Sequence, residues 1–281
     1  TNHTLLPEAL ECWSLSLFEK LLPRHLEIIY EINARFLDKV RIWCLGDRDT
    51  VARMSIIGEQ GERTVRMAHL ACVGSHAING VAGLHTELLK TSVLKDFYAH
   101  TPDKFSNKTN GVTPRRWILL SNPRLAALLD ETLGEGWAKD LETLRGLEPL
   151  AEDADFRARW RDIKRYNKLN VAHYLRKSTG VAADADSMFD VQVKRIHEYK
   201  RQHLNILHII ALSNRIRQDP HADVQARTFI FAGKAAPGYH LAKLIIQLIT
   251  GVARIVNRDP LVHGRLKVIF LPNFNVSNGQ R

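Results

Sequence analysis

Lys194, Arg195, Lys200 and Arg201 gather in one short segment, Lys194-Arg195-Ile196-His197-Glu198-Tyr199-Lys200-Arg201-Gln202. It directly follows Phe189-Asp190-Val191-Gln192-Val193, a short run with strand composition. Fixed positive charges where a strand opens into a loop suit a strongly anionic group, phosphate above all. A solvated basic turn would carry the same charges. Charge alone leaves both readings standing.

Other residues have chemistry to offer, each beside a plainer reading. His3 has no apolar periodicity around it, and a lone histidine is usually structural. Asn110, in Thr109-Asn110-Gly111, is by itself a turn residue that tolerates a left-handed backbone. Trp117 is most simply core. The run Gly233-Lys234-Ala235-Ala236-Pro237-Gly238-Tyr239-His240 is neither G-x-G-x-x-G nor a Walker loop, so a nucleotide-phosphate site there has little support.

These residues need elements to hold them. Residues from about 5 to 100 read as mostly helical: Leu26, Ile29, Tyr30, Asn33 and Phe36 recur at helical spacing, and a second helix is expected over 67–89, despite the small-residue stretch Gly74 to Gly80. The turn-rich loop 107–114 marks a domain boundary, giving domains 1–108 and 109–281. Helix returns over 121–180. A strand at 189–193, a helix at 204–217 with Leu204, Leu207, Ala211 and Leu212 on one side, and a strand at 228–233 follow. A helix striped by Leu241, Leu244, Ile245, Leu248, Ile249, Val252, Ile255 and Val256 precedes a last strand at 266–270. Strand, helix, strand, helix, strand opens a parallel, doubly wound α/β sheet. Such sheets bind ligands at the carboxyl ends of their strands, and the basic segment sits at one of them. A sheet of three strands would leave much apolar surface exposed, so the 281 residues read as a piece of a longer polypeptide.

Bulk properties narrow the classes. A hydrophobic content of 45% is ample for a core. No apolar run reaches membrane-spanning length and the N-terminus lacks signal-peptide regions, so no membrane partner is expected. Cys12, Cys44 and Cys72 are far apart and form no C-x-x-C pair, which argues for a reducing, cytoplasmic compartment without disulfides or a metal site. The net charge of +10 invites a nucleic-acid partner. The cations are spread along the whole chain without a nucleic-acid-binding motif, so none is expected.

Taken in order, many short strings resemble the α-glucan (glycogen, starch, maltodextrin) phosphorylases. They are Thr1-Asn2-His3-Thr4, Leu6-Pro7-Glu8-Ala9-Leu10, Leu22-Pro23-Arg24-His25, Met67-Ala68-His69-Leu70, Gly74-Ser75-His76-Ala77 and Asn79-Gly80-Val81. Thr109-Asn110-Gly111-Val112-Thr113-Pro114-Arg115-Arg116-Trp117, the segment Phe189 to Gln202, and Gly233 to His240 complete the series. Any one string could arise by chance, but not all of them in this order.

The resemblance implies a two-lobed, glycosyltransferase-B-like α/β architecture with the site in the cleft. Residues 1–108 would be the C-terminal part of the glucan-binding lobe and 109–281 the first part of the cofactor lobe, with its Rossmann-like sheet. It implies a pyridoxal 5′-phosphate enzyme that cleaves α-1,4-glucan ends with orthophosphate to glucose 1-phosphate, in a cytoplasmic homodimer. Among site residues it implies Arg195 and Lys200 for the substrate phosphate and Lys194 by the cofactor phosphate, all three catalytic. His3, Val81 and Asn110 would contact the glucosyl unit, and Trp117 and Phe274 the cofactor. Tyr239 is similar to the aromatic at the channel mouth of members with an inhibitor site. Arg24, Tyr30, Asn33, Glu59 and Arg63 resemble a surface polysaccharide-storage site.

The sequence departs from the family in three ways, the first being that the part of the N-terminal lobe with the rest of the glucan channel and the regulatory region is not among these residues. The segment with the Schiff-base lysine is not among these residues, so the piece alone is expected to be inactive. Phe274 stands where the family commonly has tyrosine, losing a hydroxyl donor. A nucleotide-sugar glycosyltransferase of the same architecture and a non-catalytic glucan-binding relative are the competing expectations.

Overall fold

The computed structural model describes residues 1–6, 10–262 and 264–281. Pro7, Glu8 and Ala9, part of one family-like string, lie outside them. The chain divides into two compact units, Thr1–Gly111 and Val112–Arg281.

The first unit is built on helix. It contains β1 (Cys12–Ser14), α1 (Leu15–Leu21), α2 (Pro23–Trp43), α3 (Arg48–Met54), β2 (Ile57–Gly58), β3 (Thr64–Arg66) and α4 (Met67–Gly74). β4 (Ile78–Gly80), α5 (Gly83–Leu88), α6 (Lys95–His100) and β5 (Phe105–Asn107) complete it. Proline at the first turn of α2 costs no hydrogen bond, and Leu26, Ile29, Asn33, Leu37 and Val40 form its buried face. Leu26 and Ile29 pack with Leu15, Phe18, Ile56, Ile57 and Val65. Val40 packs with Met54, Cys72, Ile78, Leu89, Leu94 and Phe97. All three cysteines are free, and burial pushes the Cys72 thiol up to about 11.

Two expectations for this unit need correcting. The reading of 5–100 as helix missed a small antiparallel sheet of order β1-β3-β2, whose two- and three-residue strands are too short to show a period of two. The helix expected over 67–89 ends at Gly74. Ile78–Gly80 instead pairs in parallel with Phe105–Asn107, and α5 folds back over it. Gly80 permits that return, because a Cβ there would lie 2.3 Å from Thr86 Oγ1.

Asn33, the polar member of the α2 face, joins the helix to the next layer. Its Oδ1 accepts the Ile56 N–H at 2.8 Å, and its Nδ2 donates to Ser55 Oγ at 3.2 Å. Removing a partner from a buried backbone N–H costs about 1–3 kcal/mol. Asn33→Ala is therefore expected to destabilise the protein by about 2 kcal/mol in denaturant titration, while Tyr30→Ala, on an exposed position of the same helix, stays within about 0.5 kcal/mol. Equal effects from the two would refute this role for Asn33.

The second unit begins with a π-helical turn, Arg115–Leu120, and α7 (Pro123–Leu133), capped by the Asn122 side chain. Two 3-10 segments, Glu135–Ala138 and Leu141–Glu152, replace part of the expected helix. Pro149 inside the second has no N–H to give. α8 (Ala154–Thr179) is capped by Asp153 and stopped by Gly180 in the left-handed region. β6 (Met188–Val193), α9 (Gln202–Gln218), β7 (Arg227–Ala232), α10 (His240–Val256), β8 (Leu266–Leu271) and the short α11 (Val276–Gly279) follow.

The strands pair in parallel in the order β6-β7-β8, with Val193, Ala232 and Leu271 aligned at their carboxyl ends. The sheet is covered on both faces. Phe229 and Phe231 of β7 pack with Ile206, Ile209 and Ile216 of α9 and with Ile245 and Ile249 of α10. Ile230 and Ala232 pack on the other side with Leu175 of α8. Burial from both sides explains the unbroken apolar run of β7. β6 has β7 on one side only; among the described residues no strand lies along its other edge.

The fold is thus mixed α/β, with a parallel sheet between helices. One detail differs from the sequence reading. α9 buries Ile206, Ile209, Ser213 and Ile216, not the face with Leu204 and Leu207, which are 52% and 57% exposed. Both rows are apolar at helical spacing, so periodicity could not choose between them. Among the described residues no helix is long and apolar enough to cross a membrane.

Candidate functional site

The basic loop of the second unit is held by its backbone. Lys194 N–H donates to the Ala232 carbonyl at 3.1 Å, and Ile196 N–H to the Lys234 carbonyl at 3.2 Å, so the β6 and β7 loops leave the sheet together. Ile196 is buried and joins the core between sheet and helices. The two loops run so close that a Cβ on Gly233 would stand 2.1 Å from the Lys194 carbonyl oxygen.

Side-chain amides fix the rest. Gln202, fully enclosed at the start of α9, donates from Nε2 to the Arg195 carbonyl at 2.9 Å and accepts the His197 N–H at 3.3 Å. Gln192 of β6 donates to the Lys200 carbonyl at 3.0 Å and is itself held by Asn205 at 3.0 Å. Arg201 takes a left-handed backbone, φ 58°, and turns the chain from the loop into α9. The side chains of Lys194 and Arg195 are exposed and that of Lys200 is half-buried. Among the described residues no carboxylate pairs with any of the three. Lys200 Nζ lies 4.5 Å from the Tyr199 ring centroid. Cations held together on a fixed backbone without internal counterions favour an anion from outside.

The neighbouring loops carry the aromatic candidates. Tyr239, after β7, hydrogen-bonds through its hydroxyl to the Glu198 carboxylate, and the His197 ring lies 4.4 Å from Tyr199 and 4.9 Å from Tyr239. Tyr239 thereby ties the β7 loop to the basic loop. Trp117, about 38% exposed, and Phe274, beyond β8, meet around Gly279, where a Cβ would lie 3.3 Å from Phe274 and 3.5 Å from Trp117. The Tyr174 hydroxyl donates to Asn278 at 2.7 Å and steadies this corner from α8.

The sugar-contact candidates converge in the first unit. Asn2 N–H donates to the Asn79 carbonyl at 2.9 Å and Thr1 Oγ1 to Asn79 Oδ1 at 2.8 Å, which lays the segment with His3 along β4. Asn110 N–H donates to the Val81 carbonyl at 2.9 Å, and Lys108 N–H to that of Gly80 at 3.1 Å. His3 and Asn110 are exposed and Val81 is half-buried. An exposed amide and an exposed imidazole on segments tied to the β4 region suit a sugar's hydroxyls.

The storage-site resemblance is carried only in part. Tyr30, Asn33 and Glu59 line one open groove of about 1240 Å³, together with Arg53, Arg66 and His69. Arg24 and Arg63 lie outside its lining, and Arg24 pairs with Glu27 at 2.7 Å. The Asn33 amide is engaged inside the protein. Sequence reasoning passed over Gln192, Gln202 and Thr86. An amide inside a strand or at a helix start beside a run of cations was the available signal for the first two; Thr86 gave none.

The cationic loop stands at the carboxyl edge of a parallel α/β sheet, the edge at which sheets of this kind bind their ligands. The sequence model of the family described as carbohydrate phosphorylase matches residues 1–281, and the chain belongs to that family. It is 63% identical to a glycogen phosphorylase of Synechocystis sp., 55% to the liver form of glycogen phosphorylase of Homo sapiens and 54% to the brain form of Bos taurus. Each match covers 100% of this chain and 33% of the relative, so the chain spans about a third of the length of these curated relatives.

Proposed function

We propose that this chain is part of an α-1,4-glucan phosphorylase, which releases non-reducing-end glucosyl units as α-D-glucose 1-phosphate using orthophosphate. In this reading residues 1–108 belong to the glucan-binding lobe and 109–281 to the cofactor lobe of a glycosyltransferase-B-like enzyme. That enzyme is homodimeric and cytoplasmic, a compartment that the three free thiols of this chain suit. One observation carries the reading: Lys194, Arg195 and Lys200, with no carboxylate partner among the described residues, stand on a backbone pinned by the Gln192 and Gln202 amides in a chain matched throughout by the phosphorylase family.

The residues also fit pyridoxal 5′-phosphate. Trp117 offers an aromatic face for a flat ring, with Phe274 beside it at Gly279, and Lys194 offers a charge for the phosphate; the anchoring lysine comes from outside residues 1–281. When bound, the cofactor supplies a phosphate that takes part in acid catalysis through orthophosphate.

Arg195 grips orthophosphate through parallel N–H donors, and Lys200 adds a point charge. Lys194 offsets the repulsion between neighbouring phosphates, about 4 kcal/mol per pair of unit charges at 4 Å and an effective dielectric of 20. His3 and Asn110 hydrogen-bond the sugar hydroxyls, and the Val81 backbone lines the ring. Phe274 cannot donate as a tyrosine would, so the phosphate there relies more on Lys194.

The test is to incubate the full-length protein, loaded with cofactor, with glycogen or maltodextrin and orthophosphate. The expected result is phosphate-dependent glucose 1-phosphate. Its absence, or consumption of a nucleotide sugar instead, would overturn the proposal.

A further inference from the structure

The segments carrying the sugar-contact residues, 1–3, 79–82 and 107–110, are joined from below by α5. Thr86 of that helix is 2% exposed. Its backbone N–H already donates to the Ala82 carbonyl at 2.9 Å. The hydroxyl has one proton and two acceptors in reach, that same carbonyl at 2.8 Å and Asn107 Oδ1 at 2.9 Å; because the carbonyl already has the N–H as donor, the proton serves best on Asn107. Asn107 passes the contact on, since its Nδ2 donates to Thr109 Oγ1 at 2.9 Å. Thr109 precedes Asn110, whose N–H is bonded to the Val81 carbonyl. The adjacent His85 accepts the Val81 N–H on Nδ1 at 3.4 Å. Gly80, opposite Asn107 in the β4–β5 register, leaves the space that the Thr86 hydroxyl occupies.

We propose that Thr86 is a positioning residue for sugar recognition: its hydroxyl, acting through Asn107 and Thr109, sets where the Asn110 side chain and the Val81 backbone meet a glucosyl unit. The inference rests on the phosphorylase reading. Nothing in it requires Thr86 to touch the sugar.

Thr86→Val removes the donor at nearly constant volume, and Thr86→Ser keeps it. Asn107→Ala breaks the same bond from an exposed position, so the question stays answerable if the buried valine impairs folding. In the full-length protein, Thr86→Val and Asn107→Ala are expected to raise the calorimetric Kd for α-D-glucose and the KM for glucan about five- to tenfold, the worth of one neutral hydrogen bond. The KM for orthophosphate stays unchanged, and Thr86→Ser keeps glucose affinity within about twofold of wild type.

Glucose affinity unchanged in Thr86→Val and Asn107→Ala, with the wild type active, would overturn this inference alone. So would a serine variant as impaired as the valine one, or an orthophosphate KM rising in step with that of glucan, the mark of general loosening. A wild-type protein without phosphorolysis would overturn the phosphorylase reading as well.

Discussion

Arg195→Ala in the full-length protein is expected to lower kcat/KM for phosphorolysis about 10²–10³-fold, the usual effect of removing one preorganised donor from a developing charge. The Arg195 side chain projects from the loop while its carbonyl is tied to Gln202, so the substitution removes charge and donors without disturbing the backbone. Two charge-assisted hydrogen bonds are together worth about 3–6 kcal/mol, enough for a loss of that size. Lysine at the same position restores the charge but not the paired donors, and should recover only part of the rate. Because the side chain is exposed, thermal stability should hold. Initial rates across a range of orthophosphate concentrations check this, and a loss of less than about threefold would remove Arg195 from the anion site.

The second large effect concerns Gly233→Ala. The new methyl would be 2.1 Å from the Lys194 carbonyl oxygen and 3.1 Å from Ile196 Cδ1. The obstacle is backbone held in the ladder by the Lys194–Ala232 bond, so it cannot swing aside as a side chain would. Forced contacts of this kind cost about 1–3 kcal/mol, and the rigid neighbour puts this one at about 3 kcal/mol. Activity should fall too, because relief comes only by moving the loop that carries Lys194 and Arg195. Gly238→Ala is the control: in the same loop its Cβ would meet nothing within 4 Å. Denaturant midpoints and phosphorolysis rates of the two variants should separate clearly; matching values would sink the packing argument.

The parallel sheet was legible in the sequence because its signals are long and redundant. The apolar run of β7 and the striped helix after it span whole elements, and only one arrangement buries both. The basic loop was legible because charge is written directly in residue types. Where two alternatives shared a pattern, the sequence reading failed. α9 has apolar residues on two faces, and contact with the sheet chose the isoleucine row. The segment from Met67 to Leu89 keeps a helical rhythm, yet the pairing of Ile78–Gly80 with Phe105–Asn107 overrides it. That partner lies too far along the chain for local pattern to reveal. Thr86 was missed for a related reason: its importance comes from what it bonds in space, and its residue type does not announce it.

β6 leads into the cation loop, and its outer flank presents amide and carbonyl groups along Met188–Val193 with no strand beside them among the described residues. Val191 on this strand is 57% exposed. An unprotected flank of this kind is a template that will accept any extended polypeptide offered to it. Handled in isolation at high concentration, the 281-residue chain would therefore tend to zip into oligomers through that strand, and a lysine at Val191 would be the simplest deterrent.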